Sequence, residues 1–312
     1  MGPALITIFS ILLFLVIVCF VIGFVIWYQA VPTKPVESYR DKPTDDPLQK
    51  EYRIFAHERV KELQVMAMEE VTIRSHDGLK LHAYYREASN KTSKTIISVH
   101  GYQGDAFWTS TQFSHWLVDF NYNILFIDLR SYGKSEGKYT TYGTLDSKDL
   151  LQWINYLIDR LDGEIEIALF GISMGGATVL NVSDKVPSEV KCIIDDCGFT
   201  SSYEMLKYLT YKRYHLPEFF LLFANVFSKA ISKFSFKDND ARVSLKGSKV
   251  PILFIHSDQD KLVPLYMGEE NYKACTSEKE IKIFKGAPHA RSLFMYKEEY
   301  QRLVLDFLAK HL

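Results

Sequence analysis

The residues best suited to do chemistry in this chain are a serine between glycines, a late histidine and an aspartate between them. Gly171-Ile172-Ser173-Met174-Gly175-Gly176 follows an apolar run ending at Phe170 and precedes a small-residue stretch with helical character. A chain turning sharply from strand to helix needs small residues two before and two after the serine, which holds the hydroxyl out at the turn. A serine hydroxyl is a weak nucleophile and needs a base. His289, in Gly286-Ala287-Pro288-His289-Ala290-Arg291-Ser292, is the only one of nine histidines after the last expected strand apart from His311 at the C-terminus. His115 and His256 read as structural. The chemistry these residues could support is nucleophilic acyl transfer.

An orienting acid should complete the set. The segment His256-Ser257-Asp258-Gln259-Asp260-Lys261-Leu262-Val263-Pro264 follows another apolar strand and offers Asp260, with Asp258 as its rival. Asp195 and Asp196, after the run at 192–194, are further rivals, and a loop aspartate is often only a turn or cap residue. Acyl transfer also needs donors for the tetrahedral oxyanion. The backbone N–H of Met174, just after the serine, is one candidate. The second is the N–H of Tyr102, after His100-Gly101 at the end of the strand Thr95 to Val99. Tyr132-Gly133-Lys134-Ser135 imitates the tail of a phosphate loop, but Asp128 occupies the place of its first glycine, so nucleotide binding is not expected.

These residues must be positioned by alternating elements. Val71–Ile73 and Leu79–Tyr85 flank His76-Asp77-Gly78, a hairpin signature. Strands are expected at 95–99, 123–127, 165–170, 192–194, 252–255 and 281–284. Helices are expected at 107–118, 144–159, 174–185, 265–275 and 292–311. This alternation predicts a mainly parallel sheet covered by helices on both faces, with ligands bound beyond the carboxyl ends of the strands. Serine, acid and histidine all fall at such ends.

Around this unit the composition is ordinary: 312 residues, 47% hydrophobic, 24% charged and a formal net charge of −1. That balance gives no reason to expect nucleic acid as a partner. The four cysteines form no C-x-x-C pair, so neither a disulfide framework nor a zinc site is expected, and no motif points to a cofactor. The N-terminus is unusual. No charge falls between Ala4 and Trp27, and 24 helical residues rise about 36 Å, enough to cross a hydrocarbon core of about 30 Å. Trp27 and Tyr28 suit an interfacial anchor. Residues 4–28 therefore read as a single span in a lipid bilayer rather than a cleaved signal, whose apolar region is shorter and follows basic residues. Lys34, Arg40 and Lys42 follow the span, so the positive-inside rule favours a cytoplasmic catalytic domain. The expected organisation is an anchor over 1–30, a proline-rich spacer over 31–50, a short amphipathic helix completing a linker to residue 66, and one large domain over 67–312.

Taken together, His100-Gly101, the segment Asp128 to Gly137, the Gly171–Gly176 motif, His256 to Pro264, and His289 resemble the α/β-hydrolase superfamily over about residues 70–312. The likeness is greatest to bacterial hydrolases of the prolyl-oligopeptidase and serine aminopeptidase branch. It implies an α/β-hydrolase fold with a central sheet of about eight strands. In the pattern H-G-x-x-D-x-x-V-P the aspartate three before Val-Pro is the triad acid, which selects Asp260; Ser257 stands where the first glycine is usual. Ser131 replaces a glycine of D-x-R-G-x-G-x-S-x-G, which puts the local turn geometry in question. Residues 199–245, rich in Phe and Tyr, lie where such hydrolases carry a cap, either a lid for an apolar acyl group or simple packing against the core. The expected activity is hydrolysis of a carboxylic ester. A short-peptide peptidase, an acyl-protein thioesterase and a tethered binding protein of the same fold are the alternatives. Sequence alone names neither the substrate nor the oligomeric state.

Overall fold

The computed structural model describes residues 2–34 and 43–312. Eight strands form one sheet: β1 (Glu69–Arg74), β2 (Lys80–Arg86), β3 (Lys94–Val99), β4 (Asn123–Asp128), β5 (Glu166–Ile172), β6 (Val190–Asp196), β7 (Ile252–Ser257) and β8 (Lys279–Phe284). Their spatial order is β1-β2-β4-β3-β5-β6-β7-β8. The hairpin β1–β2 and its junction with β4 are antiparallel, and every other pairing is parallel. The middle strands are buried from end to end, as near-continuous Ile, Leu, Val and Phe runs require when helices cover both faces. This is the α/β-hydrolase fold.

Register sets the strand ends level with one another. Gly171 and Ile172 of β5 face Asp195 and Asp196 of β6, Asp196 faces Ile255 of β7, and Ser257 of β7 faces Phe284 of β8. The loops that follow therefore open onto one edge.

Several expected elements are redrawn. Residues 107–118 form two short 3₁₀ turns, Ser110–Gln112 and His115–Asp119, instead of one helix. Hydroxyls explain this: Ser110 Oγ donates to Phe107 O, Thr111 Oγ1 donates to Trp108 O, and Ser98 Oγ and Ser114 Oγ pair at 2.8 Å. Such side chains compete with the helical backbone ladder. The spacer is narrower than 31–50. Val31 is fully buried, its O accepts from Thr140 N, and Thr33 N donates to Lys138 O. At the other end Pro47 opens the helix Pro47–Val65, where its missing N–H costs nothing, and Asp46 caps Leu48 N. Pro35, Arg40 and Lys42 lie outside the described residues. The last helical stretch divides at Tyr296 into Ser292–Met295 and Lys297–His311. Ser131 adopts φ 67°, so the glycine-like conformation is kept without the glycine.

The N-terminal helix runs from Pro3 to Ala30. Its first part projects from the domain with apolar side chains exposed, as at Phe9, Phe14 and Ile17. Its last two turns dock. A Cβ on Gly23 would stand 2.4 Å from Phe223 Cβ, so only glycine lets the helix Phe219–Phe227 approach this closely. Phe20 and Phe24 meet Phe223 and Phe227 edge to face, and Trp27 Nε1 donates to Ser232 Oγ at 3.0 Å. Residues 199–245, expected to form a cap, contain the helices Ser202–Tyr214, Phe219–Phe227 and Ala241–Leu245.

Candidate active site

At the end of β5 the chain reverses into the helix Met174–Leu180 through Ser173, which has φ 55° and ψ −115°. A non-glycine residue holds such a conformation only where its surroundings enforce it. Here the enforcement is steric. A Cβ on Gly175 would lie 2.0 Å from Val99 O, and one on Gly171 would lie 2.3 Å from Gly175 O. Ser173 N donates to Asp196 O at 2.7 Å, which ties the turn to β6.

The loops after β7 and β8 bring the expected partners to this hydroxyl. His289 Nε2 lies 3.0 Å from Ser173 Oγ, and His289 Nδ1 lies 2.6 Å from Asp260 Oδ2. The other carboxylate oxygen of Asp260 accepts from Leu262 N and Val263 N at 2.8 and 2.9 Å. Burial pushes the Asp260 carboxyl up, but the neighbouring His289 and these donors outweigh it and hold it below the ordinary carboxylate range. A buried carboxylate so held fixes the imidazole with Nδ1–H toward Asp260 and leaves Nε2 to accept the serine proton.

The rival carboxylates have other roles. Asp258 Oδ1 accepts from Gly286 N at 2.7 Å and links the β7 loop to the histidine loop. Asp195 is wedged between Gly176 and Gly198 and accepts from Gly198 N; burial, reinforced by Asp196, drives its carboxyl well above the usual range. Burial also lifts Asp196, to about 6, against the hydrogen bond from Tyr300 Oη. His256 is structural, as expected: its Nε2 donates to Val263 O at 2.9 Å, and burial lowers its pKa below the ordinary imidazole range. His100 accepts from Leu129 N at 2.9 Å and locks β3's end to β4's. Asp128 accepts from Ala106 N and Lys134 N, which gives the false phosphate motif a purely structural task.

Of the two expected oxyanion donors, Met174 begins the helix after Ser173, and Tyr102 follows Gly101. A Cβ on Gly101 would stand 3.3 Å from Ser173 Cβ, so this strand end runs directly beside the serine.

Two cavities meet at Ser173. One, of about 700 Å³, mixes apolar wall with charged side chains. It is lined by Tyr102, His289 and Arg291 and by Gln49, Tyr52 and Arg53 of the helix Pro47–Val65. Arg291 sits over the Tyr52 ring, 3.5 Å from its centroid. The other, of about 220 Å³, is mainly apolar and lies under the helix Ser202–Tyr214. Sequence reasoning missed the helix Pro47–Val65 as part of the site. An amphipathic helix shows which face is apolar but not what that face meets.

The family described as serine aminopeptidase, S33, matches residues 90–246, about half of the chain. The chain is 28% identical over 269 residues to the uncharacterised protein YqkD of Bacillus subtilis, covering 86% of this chain and 88% of that one. It is 23% identical over 241 residues to an uncharacterised membrane protein of Saccharomyces cerevisiae, covering 77% and 79%. Among solved structures, the Pyrococcus furiosus esterase Pf2001 superposes with a TM-score of 0.66 at 26% identity, over 80% of this chain and 93% of that one. With that fold and this match, the chain belongs to the serine aminopeptidase S33 family of α/β hydrolases.

Proposed function

We propose that this hydrolase cleaves a carboxylic ester through an acyl-enzyme on Ser173, with His289 as base and Asp260 as the orienting acid. The observation that carries the reading is the continuous relay from Ser173 Oγ to His289 Nε2 at 3.0 Å and from His289 Nδ1 to Asp260 Oδ2 at 2.6 Å. As Oγ attacks the acyl carbon, Nε2 takes its proton, and the imidazolium is stabilised by Asp260. The N–H groups of Met174 and Tyr102 receive the oxyanion; each such donor is typically worth about 2.7–4 kcal/mol of barrier. His289 then protonates the departing alcohol, and a water activated by the same nitrogen frees the acid. The likeness to the esterase Pf2001 supports an ester as substrate.

The family description raises an aminopeptidase as the second reading. An aminopeptidase must hold a substrate ammonium group. Among the described residues the larger cavity carries Lys212, Lys261 and Arg291 against Asp46, a balance that disfavours an ammonium group and favours the ester.

We further propose that Pro3–Ala30 is a retained membrane span with the catalytic domain on the cytoplasmic side, with residues 67–312 as the catalytic unit and 199–245 as its cap. Gly23, Trp27 and Val31 are buried in the domain, which is not the behaviour of a leader to be removed. The test is labelling of full-length protein with a fluorescent fluorophosphonate, followed by turnover of p-nitrophenyl esters. Labelling lost in Ser173→Ala, and turnover lost in both Ser173→Ala and His289→Ala, supports the mechanism. Folded wild type that neither labels nor turns over overturns it in favour of a tethered binding protein.

A further inference from the structure

The smaller cavity beside Ser173 is walled by two parts of the chain that are far apart in sequence. Tyr142, Met205, Leu206 and Leu209 come from the catalytic domain and its cap, and Ile26 and Ala30 come from the N-terminal helix. We infer that this cavity is the acyl-chain site, that the membrane anchor is one of its walls, and that the substrate is a bilayer amphiphile: an ester of one fatty acyl chain with an anionic headgroup. The inference rests on the serine-hydrolase reading and deepens it.

The wall is held in place. Tyr142 Oη donates to Ala30 O at 2.9 Å, Trp27 Nε1 donates to Ser232 Oγ, and Val31 O accepts from Thr140 N. Gly23 interlocks with Phe223 and Ala224. A tether that served only to restrain the enzyme would need no such fit.

The level of the membrane follows from length. Residues 3–22 rise about 30 Å as helix, the thickness of the hydrocarbon core, which leaves the docked turns from Gly23 to Ala30 at its boundary. At that level the cap exposes a second apolar stripe. Phe219, Leu222 and Val226 are each about half exposed, and Ile231 continues the stripe beyond the helix. These residues lie on the helix that meets Phe20 and Phe24, so the apolar surface of the span continues onto the cap. An acyl chain can pass from bilayer to cavity along this surface without entering water.

On the other side of Ser173 the larger cavity supplies the complementary character. Among the described residues Lys212, Lys261 and Arg291 outnumber Asp46 there. A lipid whose ester lies at Ser173 would place its chain against Ile26 and Ala30 and its headgroup among these cations. A cavity of about 220 Å³ has room for part of one chain and not for two.

The test uses full-length protein in detergent with p-nitrophenyl esters from acetate to palmitate, together with fluorophosphonate labelling. Ala30→Trp fills the cavity and is expected to lower the decanoate-to-acetate ratio of kcat/KM at least tenfold. Ile26→Ala enlarges it and is expected to move the optimum to longer chains. Should the Trp variant fail to fold, Ile26→Ala carries the test alone. An unchanged chain-length profile in a variant that still labels overturns the inference while leaving the serine-hydrolase reading intact. Wild type that does not label overturns both. In vesicles, lysophosphatidylglycerol is expected to be hydrolysed at least fivefold faster than lysophosphatidylcholine of the same chain, and equal rates overturn the anionic headgroup.

Discussion

Two neighbouring parallel strands each place an aspartate at this edge of the sheet, Asp196 as the last residue of β6 and Asp260 in the loop after β7, and the two sites treat them in opposite ways. At β7, Asp260 accepts from two backbone N–H groups and meets His289, and its carboxyl is held below the ordinary range. At β6, one strand away, Asp196 is equally enclosed, yet its main partner is the neutral Tyr300 hydroxyl and its carboxyl is lifted to about 6. Burial is common to both and raises both. What separates them is whether a cation can form beside the carboxylate and how many donors face it. One is equipped to hold a charge and the other to avoid one, although the residue type is the same and both lie at the same edge of the sheet.

The largest expected effect tests the roles directly. Asp260→Asn should lower kcat on an ester about 10⁴-fold, because the imidazole is then held in the wrong tautomer. Asp196→Asn should stay within about tenfold of wild type, since the amide oxygen that replaces the carboxylate can still accept from Tyr300. Steady-state rates on p-nitrophenyl butyrate would decide this, and comparable losses in the two variants would erase the distinction.

Stability comes next. A Cβ on Gly198 would stand 2.3 Å from Asp195 Oδ1 and 2.8 Å from Ala177 N, so Gly198→Ala presses on backbone that cannot yield easily. The expected loss is about 1–3 kcal/mol, read as a lower midpoint in urea. A midpoint unchanged from wild type would mean that the β6 end is looser than its packing implies.

Titration should separate the two ends by sign. Asp196 rises from an ordinary 3.8 to about 6, so the folded state keeps a proton that the unfolded state releases. Its contribution is full below pH 3.8 and is lost as pH rises through about 6, a loss of at most about 3 kcal/mol. Asp196→Asn should therefore flatten the fall in stability between about pH 4 and 6.5. Asp260 acts in reverse: its contribution is present above the ordinary carboxylate range and is lost as pH falls through its lowered value. Urea midpoints across roughly pH 3–7 check both directions. The smallest effect belongs to Tyr300→Phe, which removes one hydrogen bond to Asp196 and should cost about 1–2 kcal/mol, with kcat nearly unchanged.

Much of this arrangement is legible in the sequence. Runs such as 165–170 and 252–255 announce buried strands, the elbow has a steric signature, and strand-end loops are few enough that Ser173, Asp260 and His289 can be named. Other features are not legible there, for physical reasons. The helix from Pro47 begins at a proline that reads equally well as spacer. The turns within 107–118 depend on where Ser110, Thr111 and Ser114 direct their hydroxyls. The charge states of Asp195 and Asp196 depend on enclosure by Gly176, Gly198 and Tyr300, which no local pattern encodes. The docking of Gly23 against Phe223 joins positions far apart in the sequence, and neither segment alone shows what it will meet.

That last contact also sets a schedule. The anchor leaves the ribosome first, yet its partner at Ser232 follows 205 residues after Trp27. At about 5–20 residues per second, the helix waits on the order of 10–40 s for the segment it fits. During that interval the chain lacks one side of its apolar cavity, as well as His289, which is made later still. On the function proposed above, a nascent chain can therefore hold substrate-facing residues without any capacity for turnover, and activity begins only after the N-terminal helix has met its late partner.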